Sequence, residues 1–430
     1  MRDFHNLYVK NILIQKTSIP GNTLIDYACG KGGDLPKWIN ANLQFVLGID
    51  LSKDNIENRF DGACARFLNY FKKYKEMPKA LFVNGNSSIN IKSGDALFTD
   101  KNKQIIKAIF GEGTKNELTL GKGVYNNYGI ANNGFNISSI QFAIHYMFEN
   151  ELIFKEFINN VAECTALNGY FIGTCYDGKK VFKKLSSIEI NNSISLIKND
   201  VKIWEVTKKY SFDEYNDEDC FGYGIDVYQE SINKTFREYL VNFDYLTRVL
   251  ENYGFVLLTK DELKTIGLSS SVGSFNVLFN LMEEDINRDK RFVNKIGQAL
   301  DMSNEEKELS FLNNYFIFKK VRNVTSETIS KTKEKNENIS QMKEKIKELD
   351  DTIKSSEKKD IESTSKKLAE KYIKEKEEKE QKEQKEEEKK EKQLKIKLSI
   401  DEKLKNLESK KKEKSKKEPK EKSKKEKSKK

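Results

Sequence analysis

The stretch Leu24–Trp38, LIDYACGKGGDLPKW, constrains the fold of this chain more than any other. An apolar run that is typical of a buried strand leads into a turn with three glycines, Gly30, Gly32 and Gly33. A helical segment follows, with Pro36 tolerated in its first turn. A strand, a glycine turn and a helix form the first unit of a doubly wound α/β sheet, whose ligands bind at the carboxyl ends of the strands. The sequence therefore predicts a ligand site at this turn.

The next apolar run, Phe45–Ser52, predicts a second strand, near whose end lies Asp50. In a doubly wound sheet this position holds an acid that accepts hydrogen bonds from the ribose hydroxyls of a ligand. This layout predicts a ligand that contains adenosine.

The glycine turn narrows the kind of ligand. It lacks the GxxxxGK[ST] pattern of a phosphate-wrapping loop and the third glycine of GxGxxG. Asp26, at the end of the first strand, suits a cationic ligand. We therefore predict S-adenosylmethionine, which carries an amino group and a sulfonium but no phosphate. The alternative is a tight turn whose glycines only supply positive φ angles.

A third acid, Asp95, lies in the segment INIKSGDALFTD, where we interpret it as the end of a short strand. At the end of a strand in this fold, its carboxylate is placed to contact the adenine amino group. The alternative is an aspartate that serves a turn or a helix N-cap.

The segment Gly134–Asn150 predicts a central strand up to Phe142, and then runs into His145, Tyr146 and Phe148. We interpret these side chains as a base-stacking pocket at the carboxyl end of the strand. The alternative is that the aromatic residues fill the core and that the histidine is a satisfied core residue.

Charge divides the chain into two parts. Residues 331–430 hold 37 Lys and 26 Asp or Glu, whereas residues 1–330 hold 40 Lys or Arg and 41 Asp or Glu. We predict one α/β domain over residues 1–322 and a Lys/Glu-rich tail over 323–430 that is disordered or helical. The tail is either an electrostatic RNA tether or a solubilising segment.

Membrane segments, signal peptides and cysteine pairs indicate the cellular compartment of a protein. The sequence has no run of about 18 apolar residues and no signal-peptide pattern. We therefore expect a soluble intracellular protein without a membrane segment. Its five cysteines are scattered without a CxxC pair, which favours reduced thiols over disulfides or zinc.

Three strings, CGKGGD, QFAIHYMFE and LNGYFIGTCYDGKK, occur in this order and resemble the motifs of mRNA cap guanine-N7 methyltransferases, most of all those of large DNA viruses. The resemblance covers roughly residues 1–320, and departs from the family at Asn168, where the family has glycine. It implies a class I S-adenosylmethionine-dependent methyltransferase fold, a Rossmann-like doubly wound sheet with inserted elements that cap the substrate side. For a viral protein it also implies action in the host cytoplasm or the virion.

The resemblance also implies roles for individual residues. Those assigned to S-adenosylmethionine are Lys10, Asp26, Gly30, Asp50, Asp95, Gln141 and Tyr146. Those assigned to the mRNA cap are Lys31, Arg66, Phe142, His145, Tyr146 and Glu238.

Within the cap set, the Glu238 carboxylate would accept hydrogen bonds from N1 and N2 of guanine, while Lys31 and Arg66 would face the triphosphate. Arg237 replaces the proline that most members have before this glutamate. A late tyrosine of the family corresponds to the neighbourhood of Asn313 and Tyr315, and the sequence does not decide between them.

Further elements follow from local patterns. We expect Phe4–Ile14 to form an amphipathic helix that covers the cofactor, and residues 97–133 and 183–240 to be insertions. The second insertion is predicted to form a small antiparallel sheet, because it contains strand-like runs joined by an acidic turn. GFVLLTK and NNYFIFKKV are predicted to be the last strands of the main sheet.

The chemistry of guanine N7 requires neither a general base nor a metal ion, so we expect catalysis by positioning. Rival hypotheses are a methyltransferase for another acceptor and a catalytically silent scaffold subunit of a capping complex. The sequence lacks a KxDG lysine motif and paired ExExE strands, so a guanylyltransferase and a triphosphatase are expected on a separate chain.

Overall fold

The computed structural model describes residues 1–230 and 233–324, together with residue 371. The predictions for the tail therefore concern residues that lie almost entirely outside the described ranges, and they stay predictions. Within those ranges, no helix has the length and apolar character that a membrane crossing needs.

The main sheet has eight strands in the order β10-β12-β5-β4-β1-β2-β3, with β11 paired to β12. Its members are β1 (Thr23–Asp26), β2 (Phe45–Asp50), β3 (Lys79–Asn84), β4 (Phe135–Gln141), β5 (Thr165–Tyr176), β10 (Phe255–Leu257), β11 (Val272–Ser274) and β12 (Asn313–Lys320). Strands β1 to β5 run parallel, and β10, β11 and β12 join in antiparallel pairs.

The chain enters this sheet in the middle. It passes from β1 outward to β2 and β3, and then returns to the other side of β1 to form β4 and β5. This reversal between β1 and β4 is a topological switch point, where doubly wound sheets bind ligands. The predicted doubly wound fold is confirmed, and so are the two strands predicted from GFVLLTK and NNYFIFKKV, which are β10 and β12.

Helices cover both faces of the sheet. They are α1 (Lys10–Thr17), α2 (Leu35–Asn40), α3 (Lys53–Glu57), α4 (Ala63–Phe71), α5 (Asp100–Ile109), α6 (Glu117–Leu120), α7 (Lys122–Tyr125), α8 (Glu151–Cys164), α9 (Gly178–Lys184), α10 (Phe243–Asn252), α11 (Lys260–Ile266), α12 (Phe275–Arg288) and α13 (Asn304–Ser310). Short 3-10 helices span Ile144–Phe148, Lys290–Lys295 and Ala299–Asp301.

Neighbouring residues of a strand point to opposite faces of the sheet. In β1, Leu24 packs into the core on one face and Ile25 into the core on the other, and both are fully buried. The central strands are therefore apolar along their length, as the sequence of a sheet covered on both faces requires.

The predicted first helix is present, although its first part, Phe4–Val9, is a wider π-helix that continues into α1. Three consecutive residues, Ile12, Leu13 and Ile14, are buried. A helix with one apolar face would expose at least one of them, so the expected amphipathic pattern is wrong for this part. The reason is that α1 is packed between α2 and β5.

The prediction of a short strand that ends at Asp95 is also wrong. Residues 85–99 form turns in which side chains replace strand pairing: the Asn160 side chain accepts from the Ile91 N–H at 2.8 Å, and the Asn90 side chain from the Ser93 N–H at 2.7 Å. The third strand is instead β3, which the sequence analysis missed.

The two segments that we predict to be insertions form different kinds of element. Residues 97–133 hold α5, α6 and α7. The segment 183–240 holds the predicted antiparallel sheet of β6 (Ser193–Lys198), β7 (Val201–Lys208), β8 (Gly224–Gln229) and β9 (Lys234–Tyr239). Strand β9 contacts the 3-10 helix Ile144–Phe148, which places the small sheet beside the end of β4.

Candidate functional site

The glycine turn adopts backbone conformations that favour glycine. Gly30 has φ of +54° and Gly32 has φ of +68°, values at which a side chain is strained. The Gly30 N–H donates to Asp50 Oδ2 at 2.7 Å, so the turn is tied to the end of β2. The first two strand ends therefore meet at this turn, as predicted.

Asp26 is buried at the end of β1, where its Oδ1 accepts from the Ala28 N–H at 3.2 Å. Burial, with the charge of Asp34 added, raises the pKa of Asp26 to about 8. Its carboxyl group is thus largely protonated at neutral pH, and a cation placed beside it would favour the ionised form.

Asp34 follows the turn and lies between two lysines. Its Oδ1 is 3.0 Å from Lys37 Nζ and 3.4 Å from Lys10 Nζ, and the Asp34 and Lys37 side chains are only 8% and 7% exposed. Burial alone would raise the pKa of Asp34, but the two lysines outweigh it and lower the pKa. The predictions included Lys10 but missed Asp34 and Lys37, although a lysine in the helix turn after a glycine loop was a usable signal.

Asp50 is held by three donors. In addition to Gly30, the Ser52 N–H and Asn55 Nδ2 both donate to Oδ1 at 2.9 Å. A carboxylate accepts about four hydrogen bonds, so roughly one acceptor position is left for a ligand hydroxyl. We refer to Asp26, Asp34 and Asp50, with Lys10 and Lys37, as the acidic cluster.

The end of β3 adds Asn84, which is not among the predicted site residues. Asn84 Nδ2 donates to the carbonyl oxygens of Asp50 and Leu51, each at 2.9 Å. Asp95 lies instead in an exposed turn, where it accepts from Ser93 Oγ at 2.7 Å. The structural basis for assigning Asp95 to adenine is therefore lost, and that role stays an untested prediction.

At the end of β4, Gln141 is buried and fixed by two hydroxyls. Its Nε2 donates to Ser139 Oγ at 3.2 Å, and its Oε1 accepts from Thr174 Oγ1 at 3.1 Å. The amide therefore has a defined orientation at the switch point.

Phe142 follows with φ of +55°, which is rare for a bulky residue and costs roughly 1–3 kcal/mol. Its N–H donates to the Thr174 carbonyl oxygen at 2.9 Å, which holds this conformation. The ring stacks on His5 at 5.4 Å between centroids, and Lys10 Nζ lies 5.6 Å from its centroid. His5, which the sequence analysis did not assign, thus links the first helix to this residue.

His145 lies on the 3-10 helix after β4 and Glu238 lies on β9 of the small sheet, and their side chains meet in a buried position. His145 Nδ1 lies 3.6 Å from Glu238 Oε2, which is too long for a hydrogen bond, and the Glu238 side chain is 12% exposed. Burial lowers the pKa of His145 to about 3 and raises the pKa of Glu238 to about 8. His145 Nε2 is buried and has no hydrogen-bond partner among the described residues.

Tyr146 packs edge-on against His145, with ring centroids 4.2 Å apart. Burial, with the charges of Glu238 and Asp50, raises the pKa of Tyr146 to about 12. Tyr146 therefore lies close enough to Asp50 of β2 and Glu238 of β9 for both charges to act on its hydroxyl. We refer to Phe142, His145, Tyr146 and Glu238 as the aromatic cluster.

The two departures from the family pattern have structural explanations. Arg237 lies within β9 opposite Asp226, and its Nε donates to Asp226 Oδ1 at 2.5 Å. An arginine supplies this cross-strand ion pair, which a proline could not form. Asn168 has φ of +64°, a conformation that asparagine adopts more readily than most residues.

The two predicted triphosphate residues lie near the start of α4. Lys31 Nζ is 2.8 Å from Asp61 and 3.5 Å from Asp54, so its charge is already balanced. Arg66 is half-buried on α4, and within the described residues no acidic side chain pairs with it.

Of the two late residues, Tyr315 is buried, and its hydroxyl donates to the Ser270 carbonyl oxygen at 3.1 Å. Asn313 has a buried Oδ1 that lacks a partner within the described ranges. For metal binding, the part of the chain that the structure describes contains no group of three or more suitable His, Cys, Asp or Glu side chains.

The sheet order, the switch point and the acids at adjacent strand ends define a class I methyltransferase fold. A profile of the mRNA (guanine-N(7))-methyltransferase domain matches residues 1–321. The chain therefore belongs to the mRNA cap guanine-N7 methyltransferase family.

Curated relatives agree with this membership. The chain is 27% identical over 352 residues to a probable mRNA-capping enzyme of Acanthamoeba polyphaga mimivirus, in a match that covers 75% of this chain and 28% of that protein. It is 26% identical to the mRNA cap guanine-N(7) methyltransferase of Saccharomyces cerevisiae (75% of this chain, 64% of the relative). Identity to the Arabidopsis thaliana mRNA cap guanine-N(7) methyltransferase 1 is 29% (45% and 44%). The chain thus spans less than two thirds of the length of each.

Proposed function

We propose that this protein methylates N7 of the guanine cap of mRNA with S-adenosylmethionine. The observation that carries the proposal is the meeting of His145 and Glu238 beside Tyr146, whose pKa is raised by burial and by the charges of both Glu238 and Asp50. The acidic cluster suits a cationic nucleoside, and the aromatic cluster suits a purine base. The acidic cluster lies at the end of β1 and the aromatic cluster follows the end of β4, and these two strands are adjacent in the sheet.

The acidic cluster fits S-adenosylmethionine. Asp50 keeps an acceptor position for a ribose hydroxyl, and Gly30 leaves open space where a side chain would stand. Asp26, with its raised pKa, is suited to a ligand cation, and Lys10 to a ligand carboxylate. Gln141 and Tyr146 complete the proposed site. When bound, S-adenosylmethionine supplies a methyl group that its positive sulfonium activates.

The aromatic cluster fits guanine. The Glu238 carboxylate can accept from the N1 and N2 donors of guanine, and these donors would lower its pKa from about 8. His145 is neutral because of its lowered pKa, and its Nε2, which has no partner in the described part of the chain, is available for a hydrogen bond with the base. Adenine lacks a donor at N1, so this arrangement favours guanine.

Positioning carries the reaction in this proposal. Guanine N7 is unprotonated at neutral pH, so no residue has to remove a proton from it. Holding the base in line with the methyl group supplies roughly 7 kcal/mol or more of the barrier reduction. Phe142, fixed by Thr174, and Glu238, fixed on β9, define the plane and the rotation of the base.

Capped RNA is then the substrate, with Lys31 and Arg66 facing its triphosphate. We further propose that a guanylyltransferase and a triphosphatase on a separate chain prepare the cap, since this sequence lacks their motifs. Action in the cytoplasm of an infected cell or in the virion rests on the resemblance to the branch of large DNA viruses.

A methyl-transfer assay tests the proposal. Labelled S-adenosylmethionine is supplied with GpppG, ApppG, GTP or uncapped RNA, and the product is identified by mass spectrometry. We expect label as 7-methylguanosine on GpppG and none on uncapped RNA. Cofactor binding without transfer to GpppG would refute the proposed acceptor, and absence of cofactor binding would favour a silent scaffold.

A further inference from the structure

One surface outside both clusters combines exposed aromatic side chains with unpaired positive charge. It comprises α4 and the turn that follows it, within residues 59–75, RFDGACARFLNYFKKYK. Leu68 and Phe71 on this segment are 58% and 65% exposed, and Tyr74 is 46% exposed. Apolar residues that are exposed together in this way commonly mark a binding surface.

The aromatic rings of this surface are ordered in two rows. Phe67 stacks on Phe71 with centroids 6.4 Å apart, and Tyr70 stacks on Tyr74 at 5.6 Å with only 5° between the ring planes. Phe67 also packs edge-on against Phe82 of β3, which anchors the helix to the sheet. The rows therefore stand on a rigid element.

The charges of this surface are mostly positive. Residues 59–75 hold five basic residues and one acidic residue, Asp61, and Lys31 already pairs with that aspartate. None of the five basic residues forms an ion pair with another described residue. They are Arg59, Arg66, Lys72, Lys73 and Lys75. Cations interleaved with stacked aromatic rings are the chemistry of single-stranded nucleic-acid binding.

The surface is continuous with the proposed active site. A Cβ placed on Gly32 would lie 3.5 Å from the Ala63 Cα, so the first residue of α4 packs against the glycine turn. From there α4 runs through Arg66 towards Phe71, a length of about 13 Å at 1.5 Å per residue. A strand that leaves the triphosphate at Lys31 and Arg66 would meet this surface next.

We infer that the α4 surface binds the single-stranded RNA body that follows the cap, through base stacking and phosphate contacts. The inference rests on the proposed function, which it extends from the cap to the transcript. A protein partner is the other possible occupant of an exposed aromatic face, but the unbalanced positive charge favours RNA.

Two double variants test this inference in the full chain. Lys72→Glu with Lys73→Glu reverses charge, and Phe71→Ala with Tyr74→Ala removes rings. The matched control is Lys260→Glu with Lys264→Glu on α11, which follows the strand at the opposite edge of the sheet. KM is measured for GpppG and for a capped RNA of about 20 nucleotides, longer than typical single-strand sites.

We expect each α4 variant to raise KM for capped RNA roughly 10-fold while the kinetics with GpppG stay unchanged. The α11 control should match the wild type. For the lysine variant, the salt dependence of binding should also become shallower, by about 1.4 in the log–log slope if both lysines contact phosphates.

A second readout does not depend on activity. Fluorescence anisotropy with an uncapped single-stranded RNA should show weaker binding for both α4 variants than for the wild type. If the wild type binds this RNA but does not methylate GpppG, the proposed function fails and the RNA surface stands. Unchanged RNA affinity and unchanged KM in both α4 variants would overturn the inference and leave the surface to a protein partner.

Discussion

The acidic and aromatic clusters differ in how the protein satisfies their polar groups. In the acidic cluster, Asp34 has two lysine partners and Asp50 has three donors. In the aromatic cluster, His145 Nε2 has no partner among the described residues, and Glu238 lies beyond hydrogen-bond distance from His145. Buried polar groups without partners cost about 1–3 kcal/mol each. The acidic cluster is therefore largely paired within the protein before a ligand binds, whereas in the aromatic cluster a ligand would supply the partner that His145 Nε2 lacks.

This difference predicts that a change in the acidic cluster disturbs the glycine turn and also weakens the binding of S-adenosylmethionine. Asp50→Ala removes three hydrogen bonds to a charged group, each worth roughly 1.5–3 kcal/mol. We expect S-adenosylmethionine affinity to fall more than about 100-fold, measured by calorimetry.

Asp50→Asn is the matched control, because the amide oxygen can still accept from the turn. It should lose less affinity than the alanine variant. Equal affinity of Asp50→Ala and wild type would contradict the placement of the cofactor at this turn.

A change in the aromatic cluster should not alter the affinity for S-adenosylmethionine. Glu238→Ala removes the acceptor for guanine N1 and N2, so kcat/KM for GpppG should fall about 10- to 100-fold while S-adenosylmethionine affinity is retained. The control is Glu230→Ala, an exposed glutamate directly after β8 of the same small sheet, which should behave like wild type. Unchanged turnover of GpppG by Glu238→Ala would show that the guanine assignment is wrong.

A smaller effect is expected on the free energy of unfolding, which compares the buried ion pairs of the acidic cluster with an exposed ion pair. Lys37→Met removes one of the two cations that hold Asp34, so we expect the free energy of unfolding to fall by about 1–2 kcal/mol in denaturant titration at pH 7. Lys10 keeps Asp34 paired, which limits the loss. Lys53→Met breaks an exposed pair and should change stability by less than about 0.5 kcal/mol. Equal losses for the two variants would argue against a special role of the buried pair.

The smallest expected effect is the release of a proton when the cofactor binds. The pKa of Asp26 is about 8 in the free protein, so its carboxyl group is mostly protonated at pH 7. A bound cation lowers that pKa, so cofactor binding should release up to one proton, and affinity should rise with pH until about pH 8. Calorimetry in two buffers of different ionisation enthalpy measures the release, which Asp26→Asn should abolish. Equal proton release by wild type and variant would exclude Asp26 as the source.

The sequence was most informative where the signals are local. A strand, a glycine turn and Asp50 follow one another closely, and the structure joins Gly30 to Asp50 as that pattern predicts. The small sheet was also predictable, because its strand-like runs alternate with a turn.

Long-range relations were harder to predict. Asp34 and Lys37 look like surface residues of a short helix, and only the packing of the first helix encloses them with Lys10. His5 stacks on Phe142 across 137 positions of sequence. His145 and Glu238 were assigned to one site only through resemblance to a family, because no local pattern joins the 3-10 helix after β4 to strand β9.

The third strand, β3, could not be predicted for a different reason. Strand β3 is an edge strand whose first four residues are not buried, so its apolar pattern is weak. The segment around Asp95 showed a stronger alternation, but asparagine and serine side chains satisfy its backbone in turns instead.

The most direct measurement of the central claim compares GpppG with an analogue in which N7 of guanine is replaced by carbon. The analogue keeps the N1 and N2 donors that Glu238 would recognise, so it should compete with GpppG for binding. We predict one labelled methyl group on GpppG, recovered as 7-methylguanosine, and none on the analogue. Methylation of the analogue, or label at another atom of GpppG, would contradict the account.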